Sequence, residues 1–328
     1  MGKIRIGIVG FGNVGRGVLK AIRKCPDMEL IAIFTRRVKT VRDEVKRGIF
    51  VFETKQAFGN SGSRVDVAIL CGGSKEDLPN QGPKFAQRFN TVDSFDTHAD
   101  IRSYFDTMNA CSRGAGNVSI ISAGWDPGIF SLERVLSDSF LPTNKTYTFW
   151  GKGVSQGHSD AVRKLTGVED ARQYTLPMED ALEAVRNGKT PVFIKRQMHK
   201  RLVYVVPKDD ADLDKIKEDI VTMPKYFNEY DTEVIFISKE EMMEEHSNYP
   251  HAGFVLASGV TGDGNKQILE YRCQLESNPE FTGSILVACA RAAFKLKQTR
   301  QIGAFTMLDF PPSFLSPHFP VFLLENFM

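Results

Sequence analysis

Ile4-Arg5-Ile6-Gly7-Ile8-Val9-Gly10-Phe11-Gly12-Asn13-Val14-Gly15 is the stretch on which the reading of this chain turns. Positions 4–9 form a short run rich in Ile and Val, the composition of a strand buried on both faces. The glycines that follow are spaced GxGxxG, and Val14, Val18, Leu19 and Ile22 then recur at helical spacing. Strand, glycine turn and helix in that order are the context in which this motif binds a dinucleotide, whereas a glycine-rich turn without it carries little weight. Gly10 permits the tight turn, Gly12 lets the backbone approach a pyrophosphate, and Gly15 lets helix and strand pack closely. The helix N-terminus, opened by Asn13 and Val14, favours the phosphate charge.

Working outward, 30–34 reads as a second buried strand ending at Thr35-Arg36-Arg37, and 65–71 as a third ending at Cys71-Gly72-Gly73-Ser74. A helix at 83–89, a strand at 91–92, a helix at 101–113 and a strand at 118–123 continue the alternation, which implies a parallel α/β sheet over 1–124. An acid at the end of the second strand would bind a ribose 2′-hydroxyl and repel a 2′-phosphate. Thr35, Arg36 and Arg37 stand there instead, about twenty residues past Gly15, and a guanidinium fork suits a phosphate dianion. NADP is therefore expected rather than NAD. The expected cofactor contacts are Gly10, Phe11, Gly12, Asn13, Val14, Gly15, Thr35, Arg36, Arg37, Cys71, Gly72, Gly73 and Ser74.

Beyond Trp125 the texture changes. Stretches 146–150, 172–176, 202–206, 233–237, 254–258 and 267–275 read as strands separated by few helices, which suggests one mostly antiparallel sheet with helices on one face. The clearest helices are 178–186, 211–223 and 282–296, the last with Ile285, Cys289, Ala292, Ala293 and Leu296 on one stripe. This α+β region is expected to span 125–300. The segment 301–328 follows, and its apolar, proline-punctuated end at 310–328 should pack back on another domain rather than hang free.

Composition narrows the class further. A length of 328 residues fits two domains, and 42% hydrophobic with 25% charged residues is ordinary globular usage. The 42 basic against 40 acidic side chains leave a net charge of +2, too little to hold nucleic acid or an anionic membrane through a global field. Five scattered cysteines without a CxxC pair disfavour a disulfide framework and a zinc site alike, so a reducing compartment and no metal are expected. With no signal-peptide core and no apolar run of spanning length, the expected location is the cytoplasm.

Three clusters carry candidate chemistry. Ser122-Ala123-Gly124-Trp125-Asp126-Pro127-Gly128 follows a strand end, where open α/β sheets place their ligands; Asp126 there is a ligand for substrate or the N-cap of the next helix. Asp93 and Asp96 also follow a strand end, and of these acids some serve turns or caps. Phe149-Trp150-Gly151-Lys152-Gly153-Val154-Ser155-Gln156-Gly157-His158-Ser159-Asp160 forms a glycine-rich loop whose N–H groups can point at a carboxylate, with His158 a possible acid or base or a structural residue. Thr175, His199-Lys200-Arg201, Pro250-His251 and Asn278 are individually unremarkable.

Taken in order these motifs closely resemble the meso-diaminopimelate D-dehydrogenase family over nearly the whole chain. The resemblance runs through Ile8-Val9-Gly10-Phe11-Gly12-Asn13, Phe34-Thr35-Arg36-Arg37, Pro83-Lys84-Phe85-Ala86-Gln87, Gly124-Trp125-Asp126-Pro127-Gly128, Phe149-Trp150-Gly151, Ser155-Gln156-Gly157-His158-Ser159-Asp160, Gln173-Tyr174-Thr175-Leu176-Pro177 and Asn278-Pro279. It implies a Rossmann-like domain, a central substrate and dimerisation region, a C-terminal segment at 301–328 that returns to the first domain, a homodimer, and NADP-dependent oxidative deamination of the D-centre of meso-2,6-diaminopimelate, in lysine and peptidoglycan precursor biosynthesis. Carried over, the substrate contacts fall on Asp96, Trp125, Asp126, Trp150, Gln156, Gly157, Thr175, Arg201, His251 and Asn278, with Asp126 and Asp96 at the reacting amino group. Arg201, Thr175, His251 and Asn278 would grip the distal L end. The chain departs from the family in having Thr35 where Ser is usual and Ala123 where Thr is usual, and it matches least at 39–62 and 314–328. A rival NADP-dependent oxidoreductase of amino-acid biosynthesis would need a positioned lysine, for which Lys152 and Lys200 are the candidates.

Overall fold

The glycine turn after Val9 opens a helix, as its spacing predicts, and the first half of the chain is arranged around it. The structure is a computed structural model and describes residues 2–45, 48–62 and 64–328. β1 (Ile4–Val9) leads into α1 (Asn13–Ile22), followed by β2 (Met28–Thr35), α2 (Val38–Glu44), β3 (Phe50–Glu53), β4 (Val67–Leu70), α3 (Asp77–Ala86), β5 (Asn90–Asp93), α4 (Ile101–Ala115) and β6 (Val118–Ile120). Next come α5 (Ile129–Phe140), β7 (Thr143–Trp150), β8 (Gly153–Val154), α6 (Gln156–Arg163), β9 (Val168–Pro177), α7 (Glu179–Arg186), α8 (Lys195–Met198) and β10 (His199–Pro207). The chain ends with α9 (Leu213–Val221), β11 (Asp231–Phe236), α10 (Lys239–Glu245), β12 (His251–Thr261), β13 (Asn265–Leu275), α11 (Asn278–Gln298), β14 (Gly303–Phe305) and α12 (Pro320–Phe327).

Two compact units result, Met1–Leu132 with Pro279–Met328, and Glu133–Asn278. The first holds a seven-stranded sheet in the order β14-β6-β5-β4-β1-β2-β3. Every pairing in it is parallel, so all the strand carboxyl ends share one edge. β1, β2 and β4 read as mostly apolar runs, as strands of a parallel sheet buried on both faces do. β3 and β14 were not legible as strands: one is a four-residue edge with Phe50 exposed, the other only three residues long. The strand expected at 118–123 stops at Ile120, where Ser122 with φ +53° turns the chain. The helix expected from Pro83 begins at Asp77, with Pro83 inside it.

α11 belongs with the first unit, so the return to the parallel sheet starts at Pro279 rather than at 301. Gly17 of α1 and Gly283 of α11 let the two helices touch through their backbones; a Cβ on Gly283 would lie 2.5 Å from the Gly17 carbonyl carbon. Arg291 forks onto Asp27, with Nε and Nη2 at 2.6 and 3.0 Å from the carboxylate. The expected single apolar stripe is too narrow a description, since Leu286, Val287 and Ala290 are buried as well. Arg291 also donates to the Leu315 carbonyl, Lys295 donates to those of Ser313 and Ser316, and Phe310 is buried. These bonds from α11 end at Ser316. α12 beyond them leaves Phe319, Val321, Leu324 and Phe327 more than half exposed, so the tail returns only in its first part.

The second unit contains two sheets rather than the single one expected. β11-β10-β9-β8 is mixed, with β10 and β11 parallel, and β13-β12-β7 is antiparallel. The break falls at Gly151, whose φ of +123° turns the chain out of β7. A Cβ there would lie 2.2 Å from the Thr175 carbonyl oxygen, so only glycine fits the corner. One face of the mixed sheet is closed by α6 and α9 over a core of Val162, Val203, Val205, Ile216, Ile220 and Phe227.

Candidate active site

A cavity of about 440 Å³ opens at the carboxyl ends of β1, β2 and β4, where successive strands depart to opposite sides of β1. Gly10, with φ +88°, passes close to the Cys71 backbone, and a Cβ on Gly15 would lie 2.5 Å from the Gly10 carbonyl oxygen. A Cβ on Gly12 meets nothing within 4 Å, which leaves room beside the turn for a pyrophosphate. Gly12 is also the N-cap of α1 and offers no side-chain acceptor, so no cap competes for the first N–H groups of the helix. These features fit a dinucleotide. Phe11, Thr35, Arg36, Arg37, Cys71, Gly72 and Gly73 line the cavity with Gly10 and Gly12, while Asn13, Val14 and Gly15 stand behind it in the first turn of α1.

The two arginines have different employment. Arg37 donates from Nη2 to the Phe11 carbonyl at 2.8 Å and from its backbone N–H to Thr35 Oγ1 at 3.2 Å, bracing the glycine turn. Arg36 is 76% exposed and only loosely held, 3.3 Å from Asp77, which leaves its guanidinium able to reach a 2′-phosphate. Asp77 was missed in the sequence. It accepts the Gly73 N–H at 3.2 Å and sits against Gly72, fixing the turn after β4. Ser74 accepts the Asp96 N–H at 3.1 Å and thereby ties two loops of the strand edge together.

β5 and β6 are neighbours, and the loops carrying Asp96 and Asp126 leave the same sheet edge. Asp93 joins them from below: its carboxylate accepts the Phe95 and Ser122 N–H groups at 3.0 and 3.2 Å and the Tyr104 hydroxyl at 2.8 Å, and its carbonyl accepts the Ala123 N–H. Burial pushes the Asp93 carboxyl up to about 6. It is thus an architectural acid, while Asp96 is exposed at the surface of its loop. In the Trp125-Asp126-Pro127-Gly128 turn the Asp126–Pro127 bond is cis, and Trp125 is buried edge-on against Phe130 at 5.0 Å. Helix α5 begins at Ile129, with Gly128 in the preceding position. The Ile129 and Phe130 N–H groups donate to the Gly124 and Trp125 carbonyls, so backbone acceptors serve the first N–H groups of α5.

The second unit brings Thr175 and Arg201 face to face as cross-strand neighbours on β9 and β10. Arg201 is 7% exposed. It donates to Thr175 Oγ1, and its guanidinium lies 3.9 Å from the centroid of the Tyr230 ring, a residue the sequence reading passed over. Its Nε has no partner, and among the described residues no carboxylate pairs with it. Burial pulls its pKa down and Tyr230 offsets part of that, but a guanidinium keeps its charge. A buried, incompletely satisfied cation is costly unless an anion completes it.

The remaining candidates of the second unit lie on its strands and loops. Gly153 of β8 pairs with Thr175, and the His251 ring packs on Gly153. Trp150 pairs with Gly253, two residues past His251. Gln156 and Gly157 are exposed at the start of α6, and Asn278 donates its N–H to the Tyr249 carbonyl at 3.0 Å. His158 bonds Ser155 Oγ at 2.7 Å and stands edge-on to Tyr226 and Phe227, a structural setting. Lys152 and Lys200 are both exposed, Lys152 over the Tyr174 ring, which does not suit a positioned catalytic lysine.

Comparison with known proteins decides the family. Residues 124–277 match the model of the diaminopimelic acid dehydrogenase C-terminal domain. Meso-diaminopimelate D-dehydrogenase of Ureibacillus thermosphaericus is 55% identical over 321 residues, 98% of each chain. The chain belongs to the meso-diaminopimelate D-dehydrogenase family. Among solved structures, a six-substitution mutant of meso-dapdh with DAP from Clostridium tetani is 50% identical, covering 99% of this chain and 100% of that one, with a TM-score of 0.93. An engineered D-amino acid dehydrogenase bound to NADP+ is 44% identical with a TM-score of 0.87, covering 99% of this chain and 100% of that one. In this dehydrogenase family the fold is thus a Rossmann-like parallel sheet with a second α+β unit, as the sequence predicts.

Proposed function

We propose that this protein catalyses the reversible oxidation of the D-centre of meso-2,6-diaminopimelate by NADP+, with water releasing L-2-amino-6-oxopimelate, which closes to tetrahydrodipicolinate, and ammonia. The observation that carries this reading is Arg201, a buried cation beside Thr175 without a carboxylate of its own. A substrate with an amino-acid group at each end supplies the missing anion far from the bond that breaks. The six substitutions in the Clostridium tetani mutant fall on Gln, Thr, Arg, Pro, His and Asn, with the chain spacing of Gln156, Thr175, Arg201, Pro250, His251 and Asn278, which supports the same assignment.

On this reading Arg201, Thr175, His251 and Asn278 grip the distal L end, and N–H groups at Gln156 and Gly157 take the carboxylate of the reacting end. Asp126 and Asp96 hold the D-ammonium, and Trp125 and Trp150 wall the site. Gly10, Gly12 and the first turn of α1 hold the pyrophosphate, and Arg36 holds the 2′-phosphate. When bound, the nicotinamide accepts a hydride. The substrate nitrogen must lose a proton before hydride can leave its α-carbon, so Asp126 and Asp96 act by orienting the amino group and the protein contributes chiefly positioning.

NADP+ reduction followed with meso-diaminopimelate and with its L,L and D,D isomers tests the reading. Turnover of the meso isomer with little on L,L supports it; equal rates on the meso and L,L isomers overturn it. We propose further that the enzyme works as a homodimer in the cytoplasm. All five cysteines are free, and no helix among the described residues is long and apolar enough to cross a membrane. Sedimentation at micromolar concentration should give the mass of two chains.

A further inference from the structure

His199 opens β10, two residues before Arg201, and is 4% exposed. Its Nε2 accepts the Trp150 backbone N–H at 2.9 Å, and its ring stacks on the Trp150 indole with centroids 5.2 Å apart and planes at 28°. Phe149 closes one side of the imidazole at 5.8 Å. The next N–H along, that of Gly151, donates to the Ala252 carbonyl at 2.7 Å. Successive N–H groups at this corner therefore go to different sheets, Trp150 to β10 of the mixed sheet and Gly151 to β12 of the antiparallel one. His199 is the acceptor on the strand that also carries Arg201.

We propose that His199, in its Nδ1–H tautomer, is a positioning residue for the substrate, holding Trp150 in register with the Arg201 clamp through the Trp150 N–H and the face of its indole. The tautomer follows from the bond, because an Nε2 that accepts cannot carry the proton of a neutral ring. Burial, with the Arg201 charge beside it, holds the His199 pKa down at about 4, so the ring stays a neutral acceptor where the enzyme works. The inference rests on the reading in which Trp150 walls the substrate site. It adds that the wall is set from β10 rather than by the glycine-rich loop alone.

His199→Phe keeps a ring against the indole but removes the acceptor, whereas His199→Gln places an amide oxygen at the same bond count from the backbone as Nε2. Loss of one buried hydrogen bond corresponds to roughly a tenfold weaker grip. His199→Phe should therefore raise the KM for meso-diaminopimelate about tenfold, while kcat and the KM for NADP+ stay within about twofold. His199→Gln should recover most of that loss. Trp125 and Trp150 are the two tryptophans of the chain, so in a Trp125→Phe background the emission reports Trp150 alone. That emission should shift in His199→Phe and return in His199→Gln. If His199→Phe does not fold, His199→Asn, whose amide stops one bond short, replaces it with the same expectations.

Trp150→Ala separates the two readings. A raised substrate KM in Trp150→Ala with an unchanged KM and unchanged Trp150 emission in His199→Phe would overturn the positioning role and leave the functional reading standing. An unchanged KM in both would remove Trp150 from the substrate site and the inference with it. A fall in kcat for NADP+ reduction equal to the rise in KM, not rescued by Gln, would make His199 merely structural.

Discussion

Arg291 and Arg201 are the same side chain at nearly the same depth, 3% and 7% exposed, and they are partnered in opposite ways. Arg291 forks onto the Asp27 carboxylate and donates its remaining nitrogen to the Leu315 carbonyl; burial pulls its pKa down, but the Asp27 pair more than offsets this and leaves it raised. Arg201 has a hydroxyl and an aromatic face, an Nε without a partner, and a lowered pKa. A buried charge completed by the protein holds α11 and the tail to the parallel sheet. A buried charge left incomplete by the protein is one that the anion of a ligand can complete, since nothing in folding alone rewards it.

Arg201→Met should have the largest effect. On the proposed reading a substrate carboxylate completes this desolvated charge, and removing it costs roughly 3 kcal/mol, or about a hundredfold in kcat/KM for meso-diaminopimelate. NADP+ binding and Tm should remain near those of the parent, because no ion pair among the described residues is broken. A large drop in Tm with uniform loss on all substrates would erase the contrast.

Arg291→Met should do the reverse. Breaking a buried pair costs roughly 3 kcal/mol, less here because Asp27 keeps part of its surface in water. Calorimetry should show Tm lower by several degrees, with the KM for meso-diaminopimelate unchanged in the folded fraction.

Asp126→Asn tests whether a carboxylate at the reacting end is as ligand-directed as Arg201. It keeps size and most hydrogen bonding but removes the charge proposed to hold the substrate ammonium, so kcat for deamination should fall by roughly tenfold with NADP+ affinity unchanged. Asp96→Asn should act in the same direction and more weakly. Near-parental turnover across the pH range in Asp126→Asn would mean that it serves only its turn.

The smallest effect separates the neighbouring arginines of the nucleotide cavity. Arg36→Ala should raise the KM for NADP+ about tenfold and leave that for NAD+ unchanged, the loss of one exposed charge-assisted contact. Arg37→Ala, which frees the Phe11 carbonyl, should weaken both cofactors alike. Equal responses to the two substitutions would reject the division of labour.

Local signals carried much of this molecule. Period and composition marked β1, β2, β4 and most strands of the second unit, because a buried strand is mostly apolar wherever it lies. The GxGxxG turn and the missing acid after β2 pointed to NADP because steric room at glycine and charge at a strand end are local properties. The short edges β3 and β14 left no such trace, having too few residues to show a period. The split into two sheets rests on Gly151, where the glycine requirement comes from the Thr175 carbonyl on another strand.

The candidate site divides the same way. Its candidate residues could be named from motifs, but their partners could not: Arg36 and Arg37 look alike in sequence, as do Arg201 and Arg291, and Asp93, Asp96 and Asp126 are alike as acids. Which acid is buried under Tyr104, which arginine finds Asp27, and which histidine backs Trp150 depend on partners far along the chain. The sequence by itself determined the fold class, the cofactor preference and the residue types of the site, since these follow from local pattern and chemistry. Only the tertiary structure decided which charges are completed within the protein and which are left incomplete, because pairing is a property of neighbours in space.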